Sequence, residues 1–218
     1  MNRLKSFLTY FFFESRQYSI INLIVVFSLL MLLQASIVSV HRVVSESMED
    51  TLLVGDTILV FKTWYGFRLP FTNRTVTPGF RLHYGDIVIC SYPGEPNKEY
   101  VKRCVAVGGD AIAINRKKLF VNDYPMPLPV TAKHADPNML RPENVRRDYY
   151  PRRAVPRDSL FVLGDNRDFS FDSRSWGCLP RKNLRGKVGY ILWSLDPVVP
   201  WTEITKKFRG GRFFKKVY

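Results

Sequence analysis

Two serines stand one residue apart in Ser45-Glu-Ser-Met48, within the stretch SESMEDTLLVGDTILV (45–60). A serine hydroxyl is a poor nucleophile at neutral pH until a neighbouring base takes its proton. Ser47 is the candidate nucleophile. The chain has three histidines, His41, His83 and His134, none in motif-like company, so histidine is a weak choice of base. A lysine serves instead when apolar surroundings lower its pKa enough to populate the neutral amine. Lys102 is the best placed, in Tyr-Val-Lys-Arg-Cys-Val-Ala-Val (100–107). Strand alternation puts it on one face with Tyr100 and Cys104, and leaves Val101 and a solvated Arg103 on the other. A lysine snorkelling at a sheet edge is the competing reading, and it stays open here. Ser45 is placed to donate a hydrogen bond to the carbonyl oxygen under attack. With the Ser47 backbone N–H it would form an oxyanion hole.

A third stretch, GDNRDFSFDSR (164–174), gathers three Asp, two Arg, two Ser and an Asn beside the apolar run Phe161-Val-Leu163. A solvated turn would account for such density. Read as a clamp, it pairs Asp172 with Arg174 and lets Ser170 hydrogen-bond an amine and hold it in place.

The elements that must position these residues are a span and a set of strands. Residues 1–19 mix Phe7, Leu8, Tyr10, Phe11, Phe12 and Phe13 with Arg3, Lys5 and Arg16, which predicts a short interfacial segment. Residues 20–40 carry no charge, and as a helix they would cover about 30 Å, the thickness of a bilayer core. The run is too long for a cleaved signal peptide, so a retained transmembrane anchor is expected. Arg3, Lys5 and Arg16 precede the run and only Arg42 follows closely, which puts the N-terminus on the cytoplasmic side. Ser47 lies a step of seven residues beyond Val40, a reach of at most about 25 Å. The nucleophile therefore sits at or near the far membrane surface.

Residues 41–218 read as one β-rich domain. Val-, Ile- and Phe-rich runs at 57–61, 86–91, 100–107, 111–114, 118–121, 159–163 and 186–193 are punctuated by Gly85-Asp86, Gly109-Asp110 and Asn122-Asp123. Residues 125–157 are rich in Pro and Arg and poor in aliphatics, and read as a long surface excursion. The cation–aromatic tail 206–218 reads equally as a frayed end or a membrane-contacting one.

The net charge of +14 fits nucleic acid or an anionic membrane surface. No zinc-finger spacing, RNP-like signature or basic zipper is present, so anionic lipid is the expected partner and nucleic acid is not. Cys90, Cys104 and Cys178 form no close pair, hence no disulfide framework and no zinc site. They read as buried thiols, with a Cys90–Cys104 bridge open if the compartment is oxidising. Oligomeric state is not specified.

The span, the serine box, the lysine box (YVKR…GGD) and GDNRDFSFDSR, in that order, resemble bacterial-type signal peptidase I, the serine/lysine leader peptidase family. The resemblance implies a membrane-anchored serine endopeptidase that removes signal peptides from exported preproteins after small residues, with no metal or cofactor. It implies Ser47 as nucleophile, Lys102 as general base, Ser45 in the oxyanion hole and Ser170 orienting the lysine. Asp172 and Arg174 would be a structural pair, supported by Asp165 and Arg167. Val43, Met48, Leu52, Tyr100 and Val101 would line the substrate pockets. The sequence departs from the family pattern at Glu46, at Asp50 (commonly proline) and at Gly108. Glu46 must point to solvent or meet an arginine, since at ~6 Å it would repel an oxyanion by roughly 3 kcal/mol. These departures keep two alternatives in view: a specialised relative maturing one pilin-like or conjugation substrate, and a catalytically inactive membrane-anchored binding protein.

Overall fold

The computed structural model describes residues 19–66, 77, 79–140 and 146–218. The expected interfacial segment lies almost wholly outside them. Helix α1 (Ser19–Ile37) runs directly into β1 (Val38–Arg42). The last three residues of the apolar run, expected to be helical, are therefore strand. Valines at 38 and 40 favour an extended backbone, and β1 finds a ready partner in β2 (Asp56–Phe61), with Val40 opposite Leu59. Among the described residues no helix is long and apolar enough to cross a membrane; several α1 side chains lie outside that description. Of those that are described, Ile21, Leu23, Ile24, Val25 and Phe27 are more than half exposed.

The remaining strands are β3 (Ile87–Tyr92), β4 (Glu95–Val107), β5 (Ala111–Asn115), β6 (Lys118–Val121), β7 (Tyr124–Pro125), β8 (Tyr150–Ala154), β9 (Ser159–Leu163), β10 (Leu179–Pro180), β11 (Leu184–Ser194) and β12 (Lys215–Lys216). Two helices of one turn, α2 (Ser173–Trp176) and α3 (Ile204–Lys207), complete the set. The fold is mainly β, as the strand pattern predicts. The large sheet has the order β1-β2-β11-β3-β4-β9-β10, with β12 added to β11, and the small sheet the order β7-β6-β5-β8.

Three apolar clusters hold these layers. Val43, Met48, Leu52, Ile58, Val60, Ile89 and Ile191 pack beneath the serine box. Val88, Cys90, Leu160, Val162 and Leu179 fill the opposite side of the large sheet. Val105, Ile112, Ile114, Tyr150, Phe161 and Leu163 join the small sheet to β4 and β9. Each fully buried aliphatic there contributes about 1.5–3 kcal/mol relative to exposure.

The excursion 125–157 is more structured than its composition suggests. Its end forms β8, which pairs with β5, and Tyr150 packs in the core. Lys133 bridges Asn166, which lays the 131–134 segment against the GDNRD turn. The tail is not frayed. Arg209 and Arg212 bond Asp196 and Asp56, and Lys207 is buried against the carbonyls of Asp196 and Val199. All three cysteines are free, Cys90 and Cys104 buried.

Candidate active site

Ser47 sits in a one-turn 3-10 helix, Glu46–Met48, that starts just past β1. The turn is fastened on two sides. Met48 and Leu52 are fully buried in the core beneath it, and the Asn166 N–H donates to the Ser47 carbonyl at 3.1 Å. Gly164 makes that approach possible. A Cβ on it would lie 2.2 Å from Ser170 Oγ and 2.5 Å from the Ser47 carbonyl oxygen, closer than atoms pack.

Lys102 enters from the middle of β4, opposite Val88 of β3. It is 1% exposed, and its Nζ lies 2.6 Å from Ser47 Oγ. The ring of Tyr100 is 5.7 Å away. Burial pushes the Lys102 amine down from 10.5 to about 8, against the field of Asp172, which raises it. The carboxylates around it are already spent. Asp165 is gripped by Arg103 through Nε at 2.8 Å and Nη2 at 2.7 Å. Asp172 is gripped by Arg174 through Nε at 2.9 Å and Nη2 at 2.8 Å. Burial alone would raise the Asp172 pKa, but Arg174 and the Gly164 N–H hold it below the usual carboxylate range. Bidentate arginines claim the acids, so the lysine is left without a charge partner.

Several expectations need correction. Arg103 is buried at 4% exposure, because a guanidinium paired with Asp165 and donating to the Gly85 carbonyl no longer needs water. Asp165 therefore supports the site through Arg103 and through Thr51, whose hydroxyl donates to it at 2.5 Å, while Arg167 makes no ion pair among the described residues. Ser170 makes no bond to Lys102. Its Oγ is buried and unpartnered, pressed against Gly164 at the end of the Arg167–Phe169 3-10 turn. Ser45 Oγ accepts from the Ser47 N–H at 3.3 Å, so these two groups face each other instead of a shared point. Asp172 and Arg174 do pair, and Asp172 also caps α2.

Of the expected pocket residues, Val43, Met48 and Leu52 share one buried cluster, with Val101 packed against it. Tyr100 packs on the opposite cluster. Glu46 is exposed, its carboxylate away from the core. Asp50 takes φ +73°, a left-handed backbone closed to proline. Its carboxylate and that of Glu49 both meet Lys133 Nζ at 3.0 Å. Local sequence hid this clasp because Lys133 lies in a loop of otherwise unremarkable text.

A buried amine lies against a serine hydroxyl, on a mainly β scaffold with paired arginine–carboxylate supports. Residues 16–193 match the family model described as signal peptidase, peptidase S26. The chain belongs to that family and is a serine endopeptidase. It is 33% identical to "Signal peptidase I" of Pseudomonas aeruginosa over 197 residues, covering 78% of this chain and 69% of that protein. It is 32% identical to "Thylakoidal processing peptidase 1, chloroplastic" of Arabidopsis thaliana, covering 74% of this chain and 44% of that one. The solved signal peptidase I of Enterococcus faecalis superposes with a TM-score of 0.40 at 22% identity, over 50% of this chain and 97% of that chain.

Proposed function

We propose that this protein removes signal peptides from exported preproteins at a membrane surface, through a Ser47–Lys102 dyad and an acyl-enzyme. The observation that carries the reading is the 2.6 Å contact between a buried, uncompensated Lys102 amine and Ser47 Oγ. Neutral Lys102 takes the hydroxyl proton as Ser47 Oγ attacks the scissile carbonyl carbon. The oxyanion meets the Ser47 N–H and the Ser45 hydroxyl once the latter turns from acceptor to donor. The Lys102 ammonium then protonates the departing amine. Water then gives a proton to the same amine as it attacks the ester carbonyl, and the ammonium returns that proton to Ser47 Oγ as the acyl bond breaks.

Substrate placement follows from the strand register. β9 pairs with β4 only from Arg103 onward, so the β4 edge before it is available to an extended peptide. Val43, Met48, Leu52 and Val101 form an apolar cluster beside the serine turn, which suits small apolar side chains of a substrate. Exposed apolar side chains around α1 support an anchor, and the exposed Trp201, Ile204, Phe213 and Phe214 among the tail's cations support contact with anionic lipid.

The test incubates the detergent-solubilised full chain with a preprotein and locates the cut by mass spectrometry. The wild type should cut after a small residue. Ser47→Ala and Lys102→Ala should each abolish cleavage with the fold intact, and retained cleavage by either ends the dyad reading. One observation favours a narrower enzyme that matures a single pilin-like or conjugation substrate: the Lys133 clasp on Glu49 and Asp50 stiffens the nucleophile turn. A survey of cleaved preproteins separates the two.

A further inference from the structure

Two unpaired strand edges of the large sheet come together. β1 pairs with β2 alone, and β4 before Arg103 pairs with β3 alone. Every step from β1 through β2, β11 and β3 to β4 is antiparallel, so β1 and β4 run in the same direction. Across the gap between their open edges, His41 Nδ1 lies 3.3 Å from Glu99 Oε2. The sheet thus curls until these edges flank a groove, which leads to Ser47 along one strand and to Lys102 along the other.

The floor of the groove changes character along its length. Val43 and Val101 belong to one apolar cluster. Strand alternation puts His41 on the face of Val43 and Glu99 on the face of Val101, each roughly 7 Å further from the dyad. The His41 ring is held on both sides, because Ser39 Oγ lies 2.8 Å from its Nε2. A Ser39 hydroxyl donating to Nε2 leaves Nδ1–H for Glu99, so a neutral ring satisfies both contacts and the carboxylate keeps its charge. Among the described residues no lysine or arginine pairs with Glu99. The adjacent cations Arg42 and Lys98 alternate to the other face, and Lys98 meets Glu95 at 3.7 Å. Both groove side chains stay accessible, His41 at 29% and Glu99 at 37% exposure.

We propose that Glu99, positioned by His41, selects the charge of the substrate's fifth residue before the cut, favouring a cation and disfavouring an acid. The inference rests on preprotein cleavage at Ser47. α1 runs straight into β1, so the outer end of the groove is the membrane end. A substrate whose apolar segment precedes the cut enters there and lies parallel to both strands. Its first, third and fifth side chains before the cut face the floor. Val43 and Val101 underlie the inner ones, and His41 and Glu99 underlie the fifth. A carboxylate at that point attracts an incoming lysine and repels an incoming glutamate.

The full chain carrying Ser47→Ala, in dodecyl maltoside micelles, is titrated with fluorescein-labelled preprotein peptides that differ only in Lys or Glu at the fifth residue before the cut. Anisotropy should show the Lys peptide binding about fivefold tighter in about 20 mM NaCl, with the difference shrinking in about 500 mM. Adding Glu99→Gln should abolish the preference. Adding Glu95→Gln, an exposed acid further along β4, should preserve it. Moving the Lys or Glu to the fourth residue, whose side chain faces away from the floor, should also abolish it. Equal binding of the two peptides, binding of neither, or a preference that survives Glu99→Gln or the move to the fourth residue overturns the proposal. Cleavage is read separately with wild-type Ser47. Charge-sorted binding without any cleavage would sink the peptidase reading and keep the groove assignment, while cleavage without charge sorting would sink the groove assignment alone.

Discussion

Replacing Lys102 by Met should inactivate the protein and stabilise it. The fall of the amine from 10.5 to about 8 corresponds to about 3 kcal/mol of penalty for keeping a buried ammonium. Met fills a similar volume without charge. It forfeits the contact with Ser47, worth about 1 kcal/mol, so the variant should gain about 2 kcal/mol at pH 7. Because the folded pKa lies below the unfolded one, the folded wild type binds fewer protons between about pH 8 and 10.5, and its stability rises with pH across that window. The advantage of Lys102→Met should therefore be full below pH 8, vanish before pH 10.5 and reverse by up to about 1 kcal/mol above it, where only the lost Ser47 contact remains. The same pKa governs activity. About a tenth of the amine is neutral at pH 7 and about nine-tenths at pH 9, so acylation of the wild type should climb about tenfold between them with a midpoint near 8. Urea denaturation followed by tryptophan fluorescence at pH 7 and pH 10, beside single-turnover acylation from pH 6 to 9.5, measures both. A Lys102→Met variant less stable than wild type at pH 7, or an acylation rate flat from pH 7 to 9, would refute the claim that burial without a charge partner makes this lysine a base.

Three further outcomes follow from the same geometry. Gly164→Ala forces a methyl group against the Ser47 carbonyl and Ser170, and should cost at least tenfold in acylation and several degrees in melting temperature. Asp50→Pro, which restores the residue common in the family pattern, should destabilise by about 2–3 kcal/mol because proline cannot take φ +73°; Asp50→Gly should be tolerated, and thermal melts compare the two. Burial pushes the thiols of Cys90 and Cys104 up to about 12, so iodoacetamide at pH 7.5 should leave both unmodified in the native protein and label them only after unfolding, as read by peptide mass spectrometry.

What could be read early was whatever local pattern encodes. The strands at 57–61, 118–121 and 159–163 alternate or run apolar between turn residues, and they appear within a residue of the expected ends. β8 carries no strand signal because four of its five residues are exposed and it contains Pro151, so no two-sided hydrophobic pattern marks it. The sequence of β1 reads as helix because an uncharged run ending in valines has the same composition in either conformation. Within the site, Asp172 and Arg174 lie two residues apart and were legible as a pair. Arg103 and Asp165 lie 62 positions apart, and nothing near either one signals the other.

Residue types and their order along the chain were enough to name a serine, a lysine and an acidic–basic clamp as the chemical parts, on a mainly β scaffold. Whether Lys102 is buried against Ser47 or a solvated cation was decided only in three dimensions. Its pKa depends on how much water the packed β3, β4 and the serine turn exclude, and on which arginines have already claimed Asp165 and Asp172. Those are properties of distance and dielectric, which one-dimensional spacing does not carry.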